Sequence, residues 1–102
     1  METTLNQKVI DCLHTIYDPE IPVNIYDMGL IYDVKIKEGN KVEIVMTLTT
    51  PNCPAAQSLP MEVNEKVGAI EGVVDVYVNV TWTPAWEKSM MSEVAQLEMG
   101  ML

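Results

Sequence analysis

The sequence predicts one small domain of the α/β (α+β) class with the element order α-β-β-α-β, followed by a helical tail. A chain of 102 residues accommodates one hydrophobic core, so we expect residues 1–102 to form a single domain. Apolar residues recur at helical spacing in two segments and alternate in three others. The helical segment between the second and third strands makes those strands a crossover pair, which predicts a mixed three-stranded sheet with helices on one face.

The first helix is predicted from TLNQKVIDCLHTIY near the start of the chain. Its apolar residues gather on one side at about 100° per residue, and Thr4 and Gln7 have the spacing of a capping box. Cys12 falls on the apolar side and is interpreted as a core residue. His14, the only histidine, falls on the face opposite Leu5 and is interpreted as exposed and without a role.

The motif DPEIP, residues 18–22, ends this helix and is named here the acidic segment. Pro19 and Pro22 disfavour helical angles at the residues before them, so the segment is stiff. Asp18 and Glu20 are consistent with ordinary turn chemistry. Local sequence favours that interpretation, but if the segment packs near Cys53 the two carboxylates would supply oxygen ligands or a proton acceptor.

Three strands are predicted from alternation. The first two form a hairpin around EGN, and the third is the run VVDVYVNVTW, the clearest strand pattern in the chain. The residues expected on the buried side are Leu30, Tyr32, Val34 and Ile36 in the first strand, Val42, Ile44, Met46 and Leu48 in the second, and Val74, Val76, Val78, Val80 and Trp82 in the third.

A second helix is predicted in AAQSLPMEVNEKVGAI, where Pro60 implies a kink or a late start. The tail SMMSEVAQLEMGML is predicted to form a short helix with an apolar stripe of Met90, Met91, Val94, Leu97 and Met101. Its methionines are interpreted as core contacts, with an adaptable docking surface as the alternative. Trp82 and Trp86 are expected to anchor the tail on the sheet, with an interface role as the alternative.

The charge of the chain limits its partners. Six Lys and Arg against fifteen Asp and Glu give a formal charge of −9, which repels polyanions and argues against nucleic acid. No stretch reaches the roughly 20 apolar residues that span a bilayer, and the start METTLNQKV lacks the pattern of a secretory leader. Two cysteines far apart are expected to be reduced. These features predict a cytoplasmic protein that binds neither nucleic acid nor membrane.

Cys53 lies in TTPNCP, residues 49–54, named here the cysteine segment. It precedes Pro54, which suits the first turn of a helix, and a helix N-terminus favours a thiolate by about 0.3–1 kcal/mol. These residues alone leave an inert buried cysteine and a working thiol equally consistent. If the acidic segment packs near Cys53, its carboxylates would raise the pKa of the thiol and make it a resting ligand instead of a nucleophile.

Three motifs together resemble a known family. DPEIPVNIYDMGLIYDV, then TLTTPNCP, then WTPAW followed by MSEVAQLEMG, are similar to the SufT/PaaD-like iron–sulfur assembly factors, relatives of the eukaryotic cytosolic iron–sulfur targeting factor. Nearly the whole chain is covered, with two departures: Asn52 stands where the family commonly has Gly, and Pro60 is unusual. The absence of a cysteine-rich C-terminal segment indicates the short, SufT-like branch.

The resemblance implies an accessory role in iron–sulfur protein maturation, without enzymatic activity. It assigns function to Cys53, to Asp18 and Glu20, and to Thr49 and Thr50. No tightly bound cofactor is expected; Cys53 would be a transient ligand of iron or of an iron–sulfur cluster. Clusters usually have four thiolate ligands, so the recipient apoprotein, an assembly partner or the second Cys53 of a homodimer would supply the others.

Two other hypotheses remain open at this point. One is a protein-interaction adaptor that never binds iron; for a purely structural interaction domain without chemistry, a Cys53→Ser substitution would be silent in cells. The other is a thiol-dependent enzyme using Cys53, which the sequence disfavours because no base and no CxxC partner lie nearby.

Overall fold

Two helices pack on one face of a three-stranded sheet in the computed structural model, which describes residues 4–17, 23–48 and 55–100. The elements are α1 (Leu5–Leu13), β1 (Ile31–Lys37), β2 (Lys41–Met46), α2 (Ala55–Gly68), β3 (Asp75–Val80), a 3-10 turn (Lys88–Met90) and α3 (Glu93–Glu98). Since α1 contacts β1, α2 contacts β3, and the two helices contact each other, both lie on the same side of the sheet. The predicted order of elements is confirmed.

The sheet has the order β1-β2-β3, with β2 in the centre. β1 and β2 are antiparallel, and β2 and β3 are parallel with α2 as the crossover. The predicted mixed sheet is therefore confirmed. The four alternating residues expected on the buried side of the second strand are all 2% exposed or less, namely Val42, Ile44, Met46 and Leu48. The core lies between this central strand and the two helices.

Helix α1 begins where the sequence predicts and ends earlier. Thr4 accepts a hydrogen bond from the backbone N–H of Gln7 at 3.1 Å, which confirms the N-cap. The reciprocal half of the capping box is absent because the Gln7 amide donates to Asp11 instead, at 2.8 Å. The helix ends at Leu13, and His14 is its C-cap.

The first strand differs from the simple alternation expected of it. The register shifts between Ile31, which faces Met46, and Asp33, which faces Val45. Tyr32 is therefore the extra residue of a β-bulge, and the side chains before and after it do not continue one face. Leu30, before the bulge, is fully buried, whereas Ile36 near the far end of this edge strand is 36% exposed.

Helix α2 begins at Ala55 and runs through Pro60. Of the two predicted alternatives, the late start is therefore wrong, and the kink stays a prediction. Proline removes the N–H that would have bonded four residues back, which the packing of Leu59 and Val63 in the core offsets.

In β3, Val76, Val78 and Val80 share the partly buried side as expected. Val74 and Trp82 lie outside the strand and are 71% and 44% exposed, because β3 has a neighbour on one side only.

The tail forms the expected short helix, but a different face of it packs. Met91 and Ala95 are buried, whereas Val94 and Leu97 are 63% and 64% exposed. Ser92 caps α3 by accepting from the Ala95 N–H at 3.1 Å. The predicted stripe was wrong for Val94 and Leu97. The tail contacts the turn at residues 25–29 through Met90 and Ser92, and Val94 and Leu97 lie away from this contact. Met101 lies outside the described residues.

Candidate functional site

All five residues assigned by resemblance lie outside the described residues. Asp18 and Glu20 belong to the acidic segment, and Thr49, Thr50 and Cys53 belong to the cysteine segment. The structure describes the residues from which both segments start and to which they return. These anchors determine where the two segments leave the core.

The acidic segment is clamped at both ends. Tyr17 and Asn24 form an isolated antiparallel bridge, and the Ile25 N–H donates to the Ile16 carbonyl at 2.8 Å. Ile16, Val23 and Ile25 are at most 4% exposed. Buried apolar side chains and backbone hydrogen bonds thus hold the chain on both sides of residues 18–22.

The cysteine segment joins the central strand to the crossover helix. Leu48, the last residue described before it, is 2% exposed, and α2 begins at Ala55 immediately after it. The segment therefore follows the carboxyl end of β2, where β-α connections of open α/β sheets commonly carry binding groups. Cys53 is two residues from the first residue of α2.

One succession of backbone hydrogen bonds connects the two sets of anchors. Ile25 N–H donates to Ile16 O, Leu30 N–H to Ile25 O at 3.2 Å, and Thr47 N–H to Leu30 O at 2.8 Å. Ile16 is two residues before Asp18, and Thr47 is two residues before Thr49. Leu30 and Thr47 follow the Ile31–Met46 pair at the open end of the β1–β2 hairpin, and Ile25 connects this end to Ile16.

Thr47 is a feature that sequence reasoning missed. Its side chain is fully buried, and its Oγ1 has no hydrogen-bond partner among the described residues. A buried hydroxyl without a partner costs about 1–3 kcal/mol. A signal was present in the sequence, because Thr47 directly follows β2 between two apolar residues, Met46 and Leu48, that are both buried.

The C-terminal tail packs on the turn at residues 25–29, which follows the acidic segment. Trp86 donates its indole N–H to the Met28 carbonyl at 2.7 Å, and the Ser92 N–H donates to the Asp27 carbonyl at 2.8 Å. Gly29 has φ +79°, and a Cβ there would lie 2.4 Å from the Met90 carbonyl oxygen. Trp86 is thus an anchor of the tail, as predicted, but its partner is this turn and not the sheet.

His14 is not idle, which corrects the interpretation from sequence. Its Nδ1–H donates to the Ile10 carbonyl at 2.8 Å, and its ring packs on Tyr26 with centroids 4.4 Å apart. Its Nε2 lies 3.9 Å from a carboxylate oxygen of Asp27. The other Asp27 oxygen accepts from the Asn24 amide at 2.8 Å. His14 therefore joins the end of α1 to the turn that receives the tail.

Cys12 packs beside the core as predicted, although it is only partly buried. Burial raises the pKa of its thiol above the ordinary value of 9.0, and the positive charge of Lys66 on α2 opposes this rise. The Cys12 thiol is therefore protonated at neutral pH.

No group of three or more His, Cys, Asp or Glu side chains is arranged to hold a metal ion in the described parts of the chain. The residues expected to bind iron lie in the acidic and cysteine segments. No helix within the described ranges is long and apolar enough to cross a membrane.

Comparison with known proteins finds one family. The model of the family described as "Iron-sulfur cluster assembly protein" matches residues 6–80, which include both segments. A Porphyromonas gingivalis protein named Fe-S protein maturation auxiliary factor is 49% identical over 96 residues, 94% of this chain and 91% of that protein. The Bacillus subtilis Fe-S protein maturation auxiliary factor YitW is 35% identical and covers 98% of each chain.

A solved structure has the same fold. The crystal structure of a domain of unknown function, DUF59, from Bacillus anthracis superposes with a TM-score of 0.90 at 34% sequence identity, and the match covers 96% of this chain and 93% of that one. The similarity extends through the tail, beyond the residues that the family model matches.

Proposed function

We propose, since the chain belongs to the iron–sulfur cluster assembly protein family, that Cys53 and the acidic segment form the site at which it serves iron–sulfur protein maturation. The accessory role itself follows from the family and from its relatives, which are named maturation auxiliary factors and not enzymes. The observation that supports the site is the hydrogen-bonded succession from Ile16 to Thr47, which joins the anchors of both segments.

The number of available ligands favours transient binding. Iron–sulfur clusters are usually held by four thiolates. This chain has two cysteines, and Cys12 packs beside the core on α1. Cys53 is then the one cysteine that a single chain offers outside the core. A cluster bound through Cys53 has open positions for ligands from an assembly partner or from the recipient.

Cluster handover is ligand exchange without a change of oxidation state. A cysteine thiol of the recipient loses its proton and binds iron as the bond between iron and the Cys53 sulfur breaks. The carboxylate of Asp18 or Glu20 accepts that proton, and the other carboxylate is an oxygen ligand for the iron. In this proposal the hydroxyl groups of Thr49 and Thr50, assigned by the motif, are hydrogen-bond donors to the sulfur atoms of the cluster. The partners in this proposal are assembly proteins that load the cluster and apoproteins that receive it.

Anaerobic reconstitution with iron and sulfide tests the proposal. Wild type, Cys53→Ser and the matched control Cys12→Ser are compared by visible absorption and by activation of an apo-aconitase acceptor. We expect wild type and Cys12→Ser to gain a labile chromophore and to activate the acceptor, and Cys53→Ser to do neither. An equal chromophore in Cys53→Ser would contradict the assignment of Cys53.

The adaptor hypothesis predicts a different pattern. If no variant binds iron while Cys53→Ser still lowers the activity of cluster enzymes in cells, the chain acts by contact with partners alone. The exposed apolar side chains of Val94 and Leu97 on α3 are the observation that favours this second function.

A further inference from the structure

The outer edge of β3 presents backbone groups that no described strand pairs. β3 is the last strand of the sheet, and β2 is its only partner among the described residues. The Thr81 N–H donates to Met46 O at 2.8 Å on the β2 side. Since alternate residues of an extended strand direct their N–H and C=O to the same side, the backbone groups of Val76, Val78 and Val80 face outward.

Two side chains already occupy the first of these outward positions. The Asn64 amide on α2 donates to the Val76 carbonyl at 3.3 Å, and the Val76 N–H donates to an Asp75 carboxylate oxygen at 3.0 Å. Both bonds lie at the exposed surface. They confirm that the Val76 groups are directed away from β2, and they leave Val78 and Val80 as the open part of the edge.

The opposite edge of the sheet is blocked, whereas no described residue blocks this edge in the same way. β1 carries a bulge at Tyr32, whose hydroxyl donates to the Pro84 carbonyl at 2.8 Å, and it carries the exposed lysines Lys35 and Lys37. Bulges, lysines and covering segments are the features that prevent edge strands from pairing with other chains. β3 keeps a regular register from Asp75 to Val80 and contains no lysine, no proline and no bulge.

A groove of about 410 Å³ runs along this edge between β3 and α2. Pro60, Met61, Asn64 and Glu65 line the helix side, and residues 76–78 line the strand side. Met61 and Tyr77 are 64% and 63% exposed, so large apolar surfaces border the groove. Side chains of a strand added to β3 would alternate between this groove and the open face of the sheet.

The charge at the groove selects the occupant. Glu65 lines the groove, is exposed and has no ion pair among the described residues, and Asp75 is exposed at the start of β3. The neighbouring Lys66 is paired with Glu62 at 2.9 Å, so its charge is largely compensated. A second copy of this chain would bring another −9 charge to an acidic surface. A basic partner is complementary.

We propose that the open edge of β3 binds an extended segment of a partner protein, with alternating apolar and basic side chains, by β-strand addition. The backbone groups of Val78 and Val80 pair with the segment. Its lysine or arginine side chains lie on the groove side, where their stems contact Met61 and their charges pair with Glu65, and its apolar side chains lie on the other face beside Tyr77. This surface uses none of the residues proposed for the Cys53 site, so each proposal can fail without the other.

The test uses a fluorescent hexapeptide of alternating lysine and valine, measured by anisotropy against the full chain. Glu65→Lys is expected to weaken binding roughly fivefold by charge reversal. Val78→Pro removes the outward N–H while leaving the bonds to β2 and is expected to weaken binding roughly tenfold. Val78→Thr, which keeps that N–H, is the matched control and is expected to bind as wild type does.

Peptide variants keep the test independent of the folding of the protein variants. The same hexapeptide with N-methylated alternate amides cannot pair along the edge and should not bind wild type. A glutamate-valine hexapeptide should bind at least fivefold more weakly than the lysine-valine one. Equal binding of the methylated or the acidic peptide, or no binding of the lysine-valine peptide, overturns the proposal. A concentration-dependent dimer that Val78→Pro abolishes overturns it in favour of a second copy.

Discussion

Replacing Gly29 by alanine tests the packing of the tail on the turn beside the candidate site. Gly29 has φ +79°, a conformation that costs an L-residue about 1–2 kcal/mol. The new Cβ would also lie 2.4 Å from Met90 O and 2.8 Å from Met90 C, both backbone atoms. Since backbone must move by about 1 Å to relieve this contact, a further 1–3 kcal/mol is expected. We predict a total loss near 3 kcal/mol.

Gly39→Ala is the matched control. Gly39 has φ +80° in the β1–β2 turn, and nothing lies within 4 Å of a Cβ built there. This substitution has the same backbone strain without the contact, so we expect a loss of about 1–2 kcal/mol. Urea denaturation measures both free energies of unfolding, and each kcal/mol corresponds to about 4–8 °C in melting temperature.

The location of the effect is measurable as well. The Ser92 amide donates to the Asp27 carbonyl, so its hydrogen-exchange protection should fall in Gly29→Ala and stay unchanged in Gly39→Ala. Equal free-energy losses in the two variants, within about 0.5 kcal/mol, would refute the close approach of the tail to the turn.

Further predictions concern single side chains. Trp86→Phe removes the indole hydrogen bond to the turn and should lower the free energy of unfolding by about 1–2 kcal/mol in urea, against less than 0.5 for the exposed Trp82→Phe. Thr47→Val removes a hydroxyl without a described partner, so thermal denaturation should show equal or higher stability; a loss above about 1 kcal/mol would mean that the hydroxyl is bonded. The pKa of Cys12 is raised, so in a Cys53→Ser background its alkylation rate should still be rising above pH 9. Lys66→Ala removes the charge that lowers this pKa and should slow alkylation at pH 8; a faster rate would contradict the assigned cause.

The central strand and the first helix cap could be predicted from local pattern because local physics decides them. The alternating residues of the central strand all face one core, namely Val42, Ile44, Met46 and Leu48. The Thr4 hydroxyl caps α1 because the backbone N–H of Gln7, three residues later, has no partner within the helix. The bulge at Tyr32 could not be predicted, because it depends on how β1 is placed against the tail through the Tyr32 hydroxyl.

Tertiary contacts determine which face of the tail is buried and allow α2 to continue through Pro60. An apolar stripe indicates that α3 is amphipathic, but the turn at Gly29 that receives the tail determines that Met91 and Ala95 are buried instead of Val94 and Leu97. The residues of the candidate site were assigned by motif, and local sequence left Cys53 undecided. What the structure adds is the succession of hydrogen bonds that joins the anchors of the two segments, which no periodicity reveals.

The most direct test of the central claim is the pH dependence of Cys53 alkylation. In a Cys12→Ser background Cys53 is the only thiol, and its rate with iodoacetamide reports its thiolate fraction. If Asp18 and Glu20 lie beside the thiol, their charges raise its pKa, so Asp18→Asn with Glu20→Gln should shift the profile to lower pH. An unchanged profile in that variant would show that the two segments do not form one site.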